Sequence, residues 1–156
     1  MLVLSRADVE AVLDLDRLLD AVADAMVDLS HGRASMPPRV AASVPDRHAM
    51  LAVMPAFLPS TGSLCAKLVS LFPENTGPPT HQAIICCFDA ATGTPAAVMD
   101  GTYLTAARTA AGSAIATRLL ARAGASVVSV IGTGVQARAS SLVAIAEPAA
   151  VRAAVR

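Results

Sequence analysis

The chain has 156 residues, enough for one domain with a real core and too few for two complete ones. Hydrophobic residues make up 54% and charged residues 15%, and twelve basic side chains balance twelve acidic ones. With no basic cluster and 3% aromatics, nucleic-acid binding by charge or stacking is excluded, and the apolar surplus is expected to be buried against another subunit or further chain.

In chain order, the N-terminus "MLVLSRADVEAV" places Asp8 and Glu10 where a secretory signal would continue its apolar core. No targeting segment is read there, and a cytoplasmic protein is expected. Ser5-Arg6-Ala7-Asp8 has the form of a capping box with Asp for Glu, opening a short helix. A second helix is predicted from Asp14 or Asp16, with Leu15, Leu18, Leu19, Val22, Met26 and Leu29 on one face and Gly32 as its stop. "SMPPR" is extended, because each proline disfavours helix in the residue before it.

From Val40 to Met99 the pattern is strand-like, cut by turn residues. Strands are predicted at Ala49–Met54, Leu64–Phe72, Gln82–Phe88 and Pro95–Met99, with "DAATG" at 89–93 as a hairpin-type turn. A helix packed with Ala, Ser, Thr and Gly follows over Thr105–Ala121, so another element can approach it closely. Ala125–Ile131 reads as a buried parallel strand, Val135–Ala146 as a helix, and Val151–Arg156 as the start of another strand. No run of about 18–20 apolar residues exists to span a membrane. The run Ala123–Gln136 is broken by Gly124, Gly132 and Gly134.

Gly132-x-Gly134-x-x-Ala137 sits between a predicted strand and a predicted helix, the context that a dinucleotide-binding turn requires. The first glycine permits the tight turn, the second lets a pyrophosphate approach the backbone, and the third position needs only to be small. The helix N-terminus adds free N–H groups and a favourable dipole. An ordinary strand–helix turn is the other reading of the same residues.

Lys67 lies inside the apolar "LCAKLVSLF", sharing a face with Cys65 and Val69. Either that face is wet, or the ammonium is paired with an anion or tuned for proton transfer. Arg108 falls in the first turn of a helix opening at Thr105, where it opposes the dipole; it is either a carboxylate or phosphate clamp or a solvated side chain. Arg39, stiffened by Pro37 and Pro38, is a candidate of the same kind. Cys65, Cys86 and Cys87 lack metal-ligand spacing and read as buried thiols, while His31 and His81 have no spaced partner, so no metal site is expected.

Together "MPPR" (36–39), "AKLVSLFPENTGPPTHQAII" (66–85), "DAATGTPAAVMDGTYLTAARTAAGSAIATRLLAR" (89–122) and "VSVIGTGVQARA" (128–139) resemble the ornithine cyclodeaminase/mu-crystallin family, in its order and spacing. The resemblance implies an α/β protein. Residues 1–124 would form an α+β substrate-binding and dimerisation domain without its usual C-terminal segment, and 125–156 the first β-α unit of a Rossmann-type NAD(P)-binding domain. Family members are longer, so the chain is expected to correspond to their N-terminal part, truncated within the cofactor domain and inactive alone.

The implied chemistry is hydride transfer between NAD (or NADP) and the α-carbon of an amino acid or cyclic imino acid. Ornithine to proline plus ammonia leads, with alanine dehydrogenase and pyrroline-carboxylate or ketimine reductase as rivals. By motif, Arg39, Lys67 and Arg108 would hold the substrate carboxylate, with Lys67 also near the reacting centre. Gln82, Arg108 and Thr109 would lie near the cofactor, and Gly132, Gly134, Val135, Gln136 and Ala137 would cradle its pyrophosphate. A homodimer is implied. The cyclodeaminase's acidic catalytic residue, and the acid that would hold the ribose near Ala154, are not in this chain. A non-catalytic dimerisation or ligand-binding remnant is therefore the reading from another class.

Overall fold

The structure is a computed structural model that describes residues 1–146 and 152–155. By its contacts the chain divides into two units, Met1–Val12 with Asp24–Tyr103, and Leu13–Ala23 with Leu104–Arg156.

The first unit is built on a six-stranded mixed sheet in the order β1-β6-β5-β4-β3-β2. Its strands are β1 (Leu2–Leu4), β2 (Val40–Val44), β3 (Ala49–Leu58), β4 (Ser63–Leu71), β5 (His81–Phe88) and β6 (Pro95–Asp100). β1 runs parallel to β6, and the other neighbours are antiparallel. β1 and β2 were not among the predicted strands. β1 has only three residues, too few to show an alternation, and every residue of β2 is exposed, so no apolar face marks it.

Helix α1 (Arg6–Val12) opens on the predicted capping box, with both arms formed. Ser5 N–H donates to Asp8 Oδ2 at 2.8 Å, and Asp8 N–H donates to Ser5 Oγ at 3.3 Å. The "DAATG" turn is closed by Gly93 N–H donating to the Asp89 carbonyl at 2.8 Å, with Gly93 at φ +71°. One face of the sheet holds a buried cluster of Ala52, Val69 and Ala83, with Met54 against it. On the opposite face, strand parity aligns Val3, Val40, Leu51, Val53 and Ile84, all exposed; Val3 is 73% exposed and Val40 72%. Part of the exposed apolar surface among the described residues lies there.

In the second unit, α3 (Thr102–Leu120, from its third residue on) packs its alanines against the start of α2 (Leu15–Ser30). Leu19, Ala110, Ala111 and Ile115 are buried together, and Leu18, Val22, Ala23, Ala114 and Ala139 pack against them. Ala110 and Ala111 have no exposed surface, which is the close approach that small side chains allow. β7 (Val127–Val130), α4 (Val135–Ala146) and β8 (Arg152–Val155) then form a strand–helix–strand unit whose strands pair in parallel. Among the described residues no helix is long and apolar enough to cross a membrane.

Candidate functional site

Lys67 stands on β4, its cross-strand partners being Met54 on β3 and Ile85 on β5. It is half-buried on the face of the buried Val69. Arg39 directly precedes Val40, the partner of Val53. Arg39 itself lies just outside the ladder and is exposed. Gln82, the partner of Ser70, has the opposite parity on β5, and its side-chain amide donates to the Pro79 carbonyl at 3.3 Å.

The junction of β6 and α3 is fixed by side chains of "DGT". Asp100 Oδ1 accepts the N–H groups of Thr102 and Tyr103, each at 3.1 Å. Thr102 Oγ1 accepts the N–H of Ala83 at 3.1 Å, and Gly101 N–H donates to the Ala83 carbonyl at 2.8 Å. This capping starts α3 at Thr102, three residues before the predicted Thr105. Arg108 is therefore the seventh helical residue and lies in the second turn, where the dipole is weak, and the electrostatic objection to a cation there falls away. Arg108 is exposed, and Thr109 Oγ1 donates to the Thr105 carbonyl at 2.7 Å. Thr105 Oγ1 is buried, with no hydrogen-bond partner among the described residues.

The glycine turn joins β7 to α4. Gly132 adopts φ +116°, a conformation L side chains rarely take, and a Cβ built on Gly132 or Gly134 meets nothing within 4 Å. Gly134 has no positive φ, so neither crowding nor backbone strain within this chain calls for glycine there. The space beside it is what a group approaching the backbone would use. Val135 and Gln136 are exposed in the first turn of α4, which carries no acidic residue, and Ala137 is half-buried. Arg138 Nε donates to the Thr133 carbonyl at 3.1 Å, bracing the turn. Open glycines, first-turn helix N–H groups with no side-chain partner among the described residues, and no acid in that turn fit a pyrophosphate. β8, the strand where a ribose-binding acid would stand, carries none.

Two polar residues outside the predicted set organise the first unit. Asp28 is 1% exposed and accepts from Arg33 Nε at 2.9 Å and from Ser60 N–H at 3.0 Å, tying the end of α2 to the β3–β4 turn. Those hydrogen bonds, first from Ser60, hold its carboxyl below the usual carboxylate range. The sequence signal was an acid in the last turn of a helix, against the dipole. Asp100 is the other, legible as an Asx residue two positions before a helix. No cluster of three metal-ligating side chains occurs among the described residues.

The ornithine cyclodeaminase/mu-crystallin family model matches residues 1–153. Mouse ketimine reductase mu-crystallin is 44% identical over 108 residues, covering 68% of this chain and 34% of that protein. The structure of Thermococcus litoralis Δ1-pyrroline-2-carboxylate reductase, in complex with NADH and L-proline, superposes with a TM-score of 0.88 at 39% identity, covering 99% of this chain and 49% of that one. An archaeal alanine dehydrogenase dimer with bound NAD gives a TM-score of 0.88 at 34% identity, covering 99% and 48%. The chain thus spans a third to a half of the length of these relatives. It belongs to the ornithine cyclodeaminase/mu-crystallin family.

Proposed function

We propose that the chain serves NAD(P)-dependent hydride transfer at the α-carbon of an amino acid or cyclic imino acid. The observation that carries this reading is the open turn at Gly132–Gly134 in a member of a family whose relatives include NADH- and NAD-bound enzymes. When bound, the nicotinamide supplies or accepts the hydride. Val135, Gln136 and Ala137 at the start of α4 hold the pyrophosphate through their N–H groups, and Gln82, Arg108 and Thr109 lie toward the cofactor. Arg39, Lys67 and Arg108 bind the substrate carboxylate, and Lys67 also handles a proton at the reacting centre. Residues 1–124 act as the substrate-binding and dimerisation domain, and 125–156 as the opening of the cofactor domain.

Cyclic imino acids are the favoured substrates, because two of the relatives are a ketimine reductase and a pyrroline-carboxylate reductase. Alanine oxidation and cyclodeamination of ornithine to proline are the rivals. The test is a panel of cyclic imino acids, pyruvate with ammonia, alanine and ornithine, followed at the nicotinamide absorbance alongside calorimetric titration with NADH and NADPH. In a chain extended through the rest of the cofactor domain, consumption of NAD(P)H with a cyclic imino acid is expected, whereas these 156 residues alone are expected to be inactive. Absence of both turnover and cofactor binding would overturn the reading.

A second reading, a dimerisation or ligand-binding module without turnover, is favoured by the exposed apolar face of the sheet. Under either reading that face meets a second copy in a homodimer. Light scattering should report a dimer, and Ile84→Lys, which charges a 46%-exposed position, should yield a folded monomer. A wild-type monomer at all concentrations refutes the assembly.

A further inference from the structure

We propose that Cys65 and Cys87 are a peroxide-oxidisable dithiol that closes a cross-strand disulfide on the face of the sheet that carries Lys67. The two residues are direct partners in the β4–β5 ladder, and the Cys65 thiol donates to Cys87 Sγ at 3.1 Å. Both are free and half-buried. Directly opposed residues of an antiparallel pair have Cα atoms about 4.5–5.5 Å apart. That range lies inside the roughly 4.4–6.8 Å found across disulfides, so the backbone need not move. The sulfurs have about 1 Å to close to reach the usual length near 2.05 Å. Their outer neighbours in the same row are Ala56 on β3 and Ala97 on β6, small side chains that leave the sulfurs room to turn. Cys86, though next in sequence, points to the other face, opposite Ala66 and Val98, so it does not compete for either sulfur.

The order of events follows from the surroundings. Burial, then the hydrogen bond with Cys87, pushes the Cys65 thiol up to about 12, so it keeps its proton and Cys87 meets the oxidant. The Cys87 thiolate attacks one oxygen of hydrogen peroxide, the O–O bond breaks, and Cys87 becomes a sulfenic acid as the released hydroxide takes up a proton to leave as water. The Cys65 sulfur then attacks the sulfenic sulfur, the S–O bond breaks, the S–S bond forms, and the hydroxide leaves as a second water with the Cys65 proton. Two thiols give up two electrons in total, and one peroxide is reduced to two waters. The new bond is the rung next to Lys67–Ile85 on that face. The inference stands independently of the hydride-transfer reading.

The test treats the folded chain with hydrogen peroxide, counts thiols after unfolding, and maps any link by peptide mass spectrometry. The count is expected to fall from three to one, with the chain lighter by two hydrogens, Cys65 joined to Cys87, and all three thiols restored by dithiothreitol. Cys86→Ser should still form the link. Cys65→Ser and Cys87→Ser should each lose it, and Cys87→Ala provides a second variant if a serine is not tolerated; circular dichroism checks that each folds. A link through Cys86, a link only between chains, oxidation that stops at a sulfenic or sulfinic acid, or three surviving thiols would each overturn the proposal.

Discussion

Ala83 on β5 is held at both of its backbone groups by the residues that open α3. Its N–H goes to Thr102 Oγ1 at 3.1 Å, and its carbonyl takes Gly101 N–H at 2.8 Å. The helix carrying Arg108 and Thr109 is thereby started from the middle of the sheet, and Gly101 is pressed close to make this possible.

Gly101→Ala tests that closeness. A Cβ there would sit 3.1 Å from Ala83 Cβ and from Ile85 Cγ1, and 3.2 Å from the Ala83 carbonyl carbon. Neither Ala83 nor the Ile85 Cγ1, which sits next to its own Cβ, is the far end of a flexible side chain, so the backbone has to shift. Overpacking of this kind is expected to cost about 1–3 kcal/mol, read from the denaturant midpoint. Gly77→Ala, which meets nothing within 4 Å, should stay within about 0.5 kcal/mol and serves as the control.

Asp28 sets a pH dependence. Its folded pKa lies below the usual value, so its ionised form adds stability that is complete above the unfolded pKa of about 3.9 and fades as pH falls through the lower folded value. Asp28→Asn should therefore be less stable than wild type from neutral pH down to mildly acidic conditions, and the gap should close in strong acid. Thermal melts across pH measure it. An equal gap at every pH would assign the loss to packing instead.

What the sequence could disclose depended on whether the deciding interaction is local. The Ser5–Asp8 box, the Asp89–Gly93 turn and the span of α4 rest on contacts within a few residues, and each reads directly from the chain. The start of α3 was misplaced because Thr102 reaches into the ladder at Ala83, nineteen residues away, and no periodicity encodes that. Parity within β4 puts Lys67 with Val69, but only the pairing register reveals that Met54 and Ile85 flank it and that Gln82 stands on the opposite face. The burial of Asp28 likewise depends on a turn thirty-two residues further on.

The two glycines of the β7–α4 turn should separate strain from ligand approach. Gly132→Ala forces a side chain into φ +116° and is expected to cost about 1–3 kcal/mol of stability. Gly134→Ala meets open space at an ordinary φ, so its stability cost should stay below about 1 kcal/mol. If the turn receives a pyrophosphate, Gly134→Ala should nevertheless weaken NADH binding by about tenfold or more, about 1.4 kcal/mol. Calorimetry on the two variants decides it: unchanged affinity in Gly134→Ala would make the turn an ordinary strand–helix connection.

Lys67 is the sharpest test of the proposed chemistry, because its neighbours make a clean variant available. With Met54 and Ile85 as its cross-strand partners, methionine is a side chain that this row accommodates, so Lys67→Met should fold and melt close to wild type. Removing the ammonium should weaken binding of a substrate carboxylate, probed with L-proline, by about 1.5–3 kcal/mol, the worth of a charge-assisted hydrogen bond. Turnover should fall by a further factor of about 10²–10⁴ if Lys67 also moves a proton. Lys67→Arg separates the two roles: it should recover most of the carboxylate affinity and little of the rate, since a guanidinium keeps its proton. Full activity in Lys67→Met would remove Lys67 from the site, whereas equal recovery of affinity and rate in Lys67→Arg would leave it a carboxylate anchor alone.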